Sequence, residues 1–275
     1  MAPSAPIFTY EPTANVIKAS SSPEIIVVRP NNAALSAAIP NRLKDSAYED
    51  FMTYLIFCPL GYALSDTPRH FYLKQVCEFY YTSTYYPTSN TILATINNGQ
   101  TTISLTVDEL RRALRLPIHN VYADLPSDDE IRQALSIIHY DVSKQGNRDA
   151  SQHVLRQCLP PAWKFLTGVL GKCLTSKNSS YDQLNLFEHQ VLFSVIKNKP
   201  LNFAQLIFDQ MAEVISGRTR PNYVPYPRWY ALILSYFGDG YVGDPEDDYP
   251  PVYSSHKLFS PEPSNTDLYI TKGMV

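Results

Sequence analysis

The sequence has few of the residues and patterns that mark enzymes, metal proteins or membrane proteins. Four cysteines occur in 275 residues, none of them in a CxxC pair, so neither a zinc site nor a disulfide framework can be inferred. No apolar run approaches the roughly 18 residues of a membrane span, and the first ten residues lack the pattern of a signal peptide. We therefore expect a soluble intracellular protein, cytoplasmic or nuclear, that does not contact membranes.

Charge of one sign is not in excess, because 23 Lys and Arg oppose 26 Asp and Glu and give a net charge of −3. Proteins that bind nucleic acid over a whole face are usually strongly basic, so any such binding must be local. Residues 239–275 contain seven acids and two bases, a net charge of −5, which leaves +2 for the remainder. The composition predicts a mildly basic body with an acidic tail.

Motifs for catalysis or ion binding are also missing. Gly168–Cys173 resembles the end of a phosphate-binding loop, but its two glycines are too close together and Cys173 replaces the Ser or Thr that binds magnesium. The six histidines are scattered, and His189 beside an apolar helix stripe is better explained as a buried structural residue. The acids between 239 and 248 do not follow the order of a calcium loop. We predict no catalytic residues, no metal ligands, no cofactor and no small-molecule substrate.

Signals for helix starts and ends recur through the centre of the chain. Thr106 and Ser127 each precede acids in the capping-box pattern, and Pro161 starts a segment with a regular apolar stripe. Further helices are expected after Ser46, after Thr67-Pro68 and in three apolar segments that end at Asn198, Gly217 and Gly238. Most of the body is therefore predicted to be helical.

One β feature interrupts these helices. Thr91–Ile96 and Thr101–Leu105 are rich in β-branched residues, and the four residues between them contain Asn98-Gly99, which favours a type I′ turn. Another β-like run, Ile25–Val28, has no evident partner near it. We predict a single small hairpin.

The predicted fold is all-α or α-dominant, a multi-helix bundle with one small β-hairpin and disordered ends. Four segments are expected: a disordered arm at 1–44, a helical subdomain with the hairpin at 45–145, a C-terminal helical bundle at 146–238 and an acidic disordered tail at 239–275. A division near Gly146 into two domains, or a single domain, both remain open.

Arg111, Arg112 and Arg115, on one helix directly after the hairpin, are the candidate nucleic-acid site. Together with Lys74 and the tyrosines of a preceding helix they would combine phosphate contacts with base stacking. The alternative is that they form the ordinary exposed face of a surface helix. The 20 tyrosines favour a protein that packs against other molecules.

Ordered motifs in the second half of the chain resemble a known family. They are Leu159–Leu166 (LPPAWKFL), Gly171–Lys177 (GKCLTSK), Leu201–Ala204 (LNFA), Ile207–Met211 (IFDQM) and Tyr226–Trp229 (YPRW). Together they resemble the plant transposon protein domain, a Gag-like segment near the start of plant LTR retrotransposon polyproteins. The hairpin followed by Thr106–Pro117 resembles an upstream element of that family, whereas Arg218–Pro225 looks like an added loop.

The resemblance implies a non-enzymatic structural protein that associates with itself and handles nucleic acid, with RNA as a candidate partner. It supplies no catalytic residues. Two alternatives stay open at this stage. One is a domesticated plant protein that binds a host partner through its aromatic surface or acidic tail without assembling, and the other is an enzyme whose site the sequence does not reveal.

Overall fold

A computed structural model of the protein describes residues 8–11, 16–19, 25–26, 32, 34–35, 48–175, 182–217 and 223–238. Helices dominate over strands in these residues, which confirms the α-dominant part of the prediction. The predicted acidic tail at 239–275 lies outside them, as does most of the predicted arm at 1–44. None of the described helices is both long enough and apolar enough to cross a membrane.

The described residues contain nine α-helices and six strands, with single 3-10 turns at Val142–Lys144 and Arg156–Cys158. The helices are α1 Tyr48–Phe57, α2 Gly61–Ser65, α3 Leu73–Thr82, α4 Val107–Ala113, α5 Asp128–Ile137, α6 Pro161–Cys173, α7 Leu186–Lys197, α8 Phe203–Ser216 and α9 Pro227–Tyr236. The strands are β1 Phe8–Glu11, β2 Val16–Ala19, β3 Ile25–Ile26, β4 Thr84–Tyr86, β5 Thr91–Ile96 and β6 Thr101–Leu105.

The predicted helix starts follow from capping chemistry. The side chains of Thr106 and Ser127 accept the backbone N–H three residues on, and Glu109 and Glu130 return a carboxylate to the cap backbone N–H, so both capping boxes are confirmed. Asn185 forms a third box at the start of α7 that we did not predict. Each box satisfies backbone donors that helix geometry leaves without a partner.

Two helices in the first third of the chain begin at residues that were not predicted. The short helix α2, which was not predicted, begins at Gly61, where a Cβ would lie 1.8 Å from Ile56 O, so only glycine allows the α1–α2 junction. The helix expected after Thr67-Pro68 begins only at Leu73. Strand β4 was also missed, because its pairing with β5 is a contact that a three-residue pattern does not signal.

The contacts divide the chain into two compact units, and each is described by itself. Unit 1 comprises the described residues within Met1–Asn32, Thr67–Leu116 and Phe203–Tyr253, and unit 2 those within Ala33–Asp66, Pro117–Asn202 and Ser254–Val275. Gly146, the expected division point, lies inside unit 2, and the boundaries between the units include those after Asp66, Leu116 and Asn202. The four helices α6–α9, predicted together as one bundle, are shared between the units.

Unit 1 is built around the antiparallel sheet β4-β5-β6, with α3 packed on β5 and α9 packed on α3. Buried aromatic rings join these layers, such as Phe79 of α3 and Tyr230 of α9 with ring centres 5.1 Å apart. The predicted hairpin is confirmed, and Asn98 and Gly99 both have positive φ, as the turn requires. Strands β1, β2 and β3 form a second antiparallel sheet, so Ile25–Ile26 does have a partner, Val16–Ile17.

Unit 2 contains the pairs α1–α2, α5–α7 and α6–α7. Its core includes Ile131 and Leu135 of α5, Leu192 of α7 and Val154, all of them buried. The segment before α6 is tied to the segment before α7 by Leu184 N–H, which donates to Val154 O at 2.9 Å.

Candidate nucleic-acid interface

Helix α4 fixes the backbone of the candidate arginines at both of its ends. The capping box starts it, and a Schellman motif ends it: Leu116 N–H donates to Arg111 O at 2.9 Å and Arg115 N–H to Arg112 O at 3.2 Å. Arg115 therefore occupies the left-handed position after the helix, with φ of 48°, where glycine is the usual residue.

The three arginines do not share one exposed face, which corrects the predicted patch. Arg111 is only 8% exposed and its Nε lies 3.9 Å from the Asp108 carboxylate, whereas Arg112 and Arg115 are exposed. The reason is helix geometry, because Leu110, Ala113 and Leu114 form the buried face of α4, and Arg111 lies at the edge of this face, whereas Arg112 lies nearly opposite it. Lys74 is half-buried on a different helix, α3. The candidate set on α4 is thus reduced to Arg112 and Arg115.

A residue from the far end of the chain joins Arg112. Its Nε donates to Tyr236 Oη at 2.9 Å, a bond that raises the pKa of Arg112. Tyr236 is 42% exposed at the end of α9, and its ring meets Phe237 edge-on with centres 5.3 Å apart. No local sequence pattern connects Tyr236 with α4. We call Arg112, Arg115, Tyr236 and Phe237 the α4–α9 surface.

The α4–α9 surface combines the two kinds of group that bind single-stranded nucleic acid. Guanidinium groups contact phosphates, and exposed aromatic rings stack on bases. The hydrogen bond between Arg112 and Tyr236 fixes one group of each kind beside the other. This arrangement can contact phosphates and bases side by side.

The glycines of the loop-like motif in α6 serve packing. A Cβ at Gly168 would lie 2.7 Å from Arg156 Nη2, and a Cβ at Gly171 would lie 2.6 Å from Glu188 Oε1. Two charged side chains therefore pass over one face of α6, one helical turn apart, and Arg156 Nη2 donates to Lys164 O at 2.9 Å. The segment lies inside a helix and makes no phosphate-binding loop.

The surroundings of Arg156 and Glu188 indicate that the two charged side chains have a structural role. Burial lowers the pKa of Arg156, and the carboxylates of Glu188 and Asp182 oppose that change. Glu188 is 1% exposed and also accepts Asn185 N–H at 2.7 Å in the capping box of α7. A buried carboxylate with these partners stabilises the fold and is shielded from solvent.

A small hollow of about 10 Å³ lies between α5 and α7 in unit 2. His189 is its one titratable residue, and the others are apolar: Ile131, Ala134, Leu135, Val154, Leu192, Phe193 and Ile196. His189 is 4% exposed, as expected for a structural histidine. The walls supply no acid and base pair, and no group of three or more His, Cys, Asp or Glu in the described ranges could hold a metal.

The last of the motifs that carry the family resemblance, Tyr226–Trp229, builds the core. Tyr226, Arg228 and Trp229 are at most 1% exposed, and the rings of Tyr226 and Trp229 stack with centres 5.4 Å apart. Arg228 Nε donates to Asn32 O at 3.0 Å, and Trp229 N–H donates to Asn32 Oδ1 at 2.9 Å. The motif therefore anchors Asn32 to α9 and offers no surface for a ligand.

Comparison of the chain with protein-family models, with curated proteins and with solved structures gives no match.

Proposed function

We propose that the chain is a Gag-like structural protein of the kind encoded by plant LTR retrotransposons, which associates with further copies of itself and contacts RNA without catalysing a reaction. The sequence motifs of its second half support the family, and the surfaces described below support the mode of action. In this proposal the helices of each unit act as a scaffold that holds the contact surface of that unit.

The observation that carries this proposal is the exposure of apolar side chains between α4 and α5. Ile118, Val121 and Leu125 are 79%, 78% and 56% exposed. The segment that bears them is fixed to unit 2, because Ala123 N–H donates to Pro200 O at 2.8 Å. Apolar groups held exposed at fixed positions are typical of surfaces that contact other proteins.

RNA contact is assigned to the α4–α9 surface. The double substitution Arg112→Ala/Arg115→Ala should weaken binding of a single-stranded RNA and reduce the slope of log affinity against log salt by about 1.4, the value for two phosphate contacts. The control is Arg148→Ala/Lys197→Ala, which removes the same charge from unit 2. Equal losses in both variants would mean that only net charge matters, and unchanged binding would remove RNA contact from the proposal.

Self-association is tested by light scattering over a concentration series, with and without RNA. We expect the mass to grow beyond the 31.1 kDa monomer as concentration rises or RNA is added. The triple substitution Ile118→Ser/Val121→Ser/Leu125→Ser should reduce this growth, since it removes the apolar contact. A mass that stays at the monomer value at every concentration, with and without RNA, would contradict the proposal and favour an adaptor that binds a host protein.

A further inference from the structure

Among the described strands, β6 lies at an edge of the sheet β4-β5-β6, and the contacts of β5 show which backbone groups of β6 face outward. Thr95 of β5 donates its N–H to Thr82 Oγ1 at 2.8 Å, and the Thr82 hydroxyl donates to Thr95 O at 2.8 Å. Thr82 is the last residue of α3 and lies two residues before β4, so the backbone groups of Thr95 point toward the β4 side of the sheet. Because these groups alternate along a strand, those of its neighbours Ala94 and Ile96 point toward β6.

The register then assigns the partners on β6. Ile96, Ala94 and Ile92 lie opposite Thr101, Ile103 and Leu105, which therefore use their backbone groups within the sheet. Thr102 and Ser104 alternate with them, so their N–H and C=O groups point away from β5. Both residues are exposed, whereas Ile103 and Leu105 are buried.

In the part of the chain that the structure describes, this edge lacks the charges, prolines and bulges that normally prevent strand pairing. The eleven residues from Asn97 to Val107 contain no charged residue and no proline, and the register along β6 is continuous, without a bulge. The opposite edge differs, because α8 packs beside β4 and the rings of Phe208 and Tyr85 lie 6.2 Å apart. Outward donors and acceptors on an uncharged strand fit one kind of occupant, another extended backbone.

We propose that β6 pairs antiparallel with β6 of a second copy around a two-fold axis at Ile103, an inference that rests on the proposed self-association. Thr102 of each copy then lies opposite Ser104 of the other. Both are outward-facing residues, so the two pairs would form about four backbone hydrogen bonds. The Thr–Ser side-chain pairs are compatible, and no like charges oppose each other across the seam. Two three-stranded sheets become one sheet of six strands.

A seam of five residues per copy is small. It buries much less than the roughly 1,000 Å² expected of a stable isolated interface, so the pairing should be weak and dependent on concentration. Weak contacts of this kind gain strength when each molecule makes more than one of them. The seam therefore fits a protein that assembles through several surfaces, the exposed apolar segment among them.

The test uses the exposed positions of the seam in the full chain without RNA. Thr102→Lys/Ser104→Lys places lysine opposite lysine in both pairs and should weaken self-association by about tenfold or more. Thr102→Lys/Ser104→Glu places lysine opposite glutamate and should associate like the unchanged chain or more tightly at low salt. Sedimentation equilibrium measures the dissociation constants, and thermal unfolding checks that both variants remain folded.

A mixing experiment identifies the occupant. The Lys/Lys variant and a Thr102→Glu/Ser104→Glu variant should each be impaired alone and should associate when mixed. Failure of the mixture to associate, or unchanged association of the Lys/Lys variant, overturns the seam and leaves self-association through another surface standing. An unchanged chain that stays monomeric at every concentration overturns the proposed function as well. Loss of association in the Lys/Glu variant overturns the antiparallel two-fold arrangement.

Discussion

Each unit of this protein has a buried glutamate whose carboxylate accepts hydrogen bonds from the backbone. The two glutamates differ in how many residues separate them from their donors in the sequence. In unit 1, Glu78 of α3 accepts Asn97 N–H at 2.6 Å and Asn98 N–H at 3.3 Å, from a turn about 20 residues later. In unit 2, Glu188 accepts the N–H of Asn185, three residues earlier. The first bond joins a helix to a hairpin, whereas the second completes the start of one helix.

The difference shows what each unit requires of its charged core residues. A turn with three successive residues at positive φ, from Asn97 to Gly99, leaves N–H groups that the ladder does not use, and Glu78 supplies their acceptor. Glu188 has a second task, because its other carboxylate oxygen lies over Gly171 on the face of α6 that Arg156 also crosses. Loss of Glu188 therefore affects a charge partner, and loss of Glu78 affects neutral donors.

The largest effect is expected from Glu188→Ala. This change removes the capping box and the stronger of the two carboxylate interactions of the partly buried Arg156, so the free energy of unfolding should fall by about 3 kcal/mol. Chemical denaturation followed by circular dichroism measures the loss. Adding Arg156→Met should recover part of it, because the cation that has lost this carboxylate is then gone. Losses that simply add in the double variant would contradict a charge pair.

A smaller effect is expected from Glu78→Ala, about 2 kcal/mol, because two backbone donors lose their buried acceptor. Glu78→Gln is the matched control, since its amide oxygen can still accept one of these bonds and should keep part of the stability. Amide hydrogen exchange at Asn97 and Asn98 reports the change directly. Protection that stays the same in Glu78→Ala would show that the carboxylate does not hold the turn.

The same contrast explains how much of the fold could be predicted from sequence. The capping boxes at Thr106 and Ser127 and the Asn98-Gly99 turn are local, so a few neighbouring residues determine them. Strand β4 and the division into two units depend on contacts between distant segments, and no short pattern signals them.

The candidate site was predictable to the same extent. Its arginines are visible as a cluster on one helix, but the burial of Arg111 depends on what α4 packs against. Tyr236 is 124 residues from Arg112 and joins it only in the folded chain. The basic part of the surface is therefore visible in the sequence, whereas its aromatic part is not.

The smallest effect is expected at the C-terminal ends of α4 in unit 1 and α5 in unit 2. Both helices end with a Schellman motif, and in both the left-handed position is occupied by a residue other than glycine. Arg115 has φ of 48° and His139 has φ of 57°. Replacing either residue with glycine should raise the free energy of unfolding by about 1 kcal/mol, because glycine has no Cβ to clash with the backbone at positive φ. Only Arg115→Gly should also weaken RNA binding, since His139 lies outside the α4–α9 surface. Thermal unfolding and RNA titration of both variants separate the two effects, and equal RNA affinities would mean that Arg115 makes no phosphate contact.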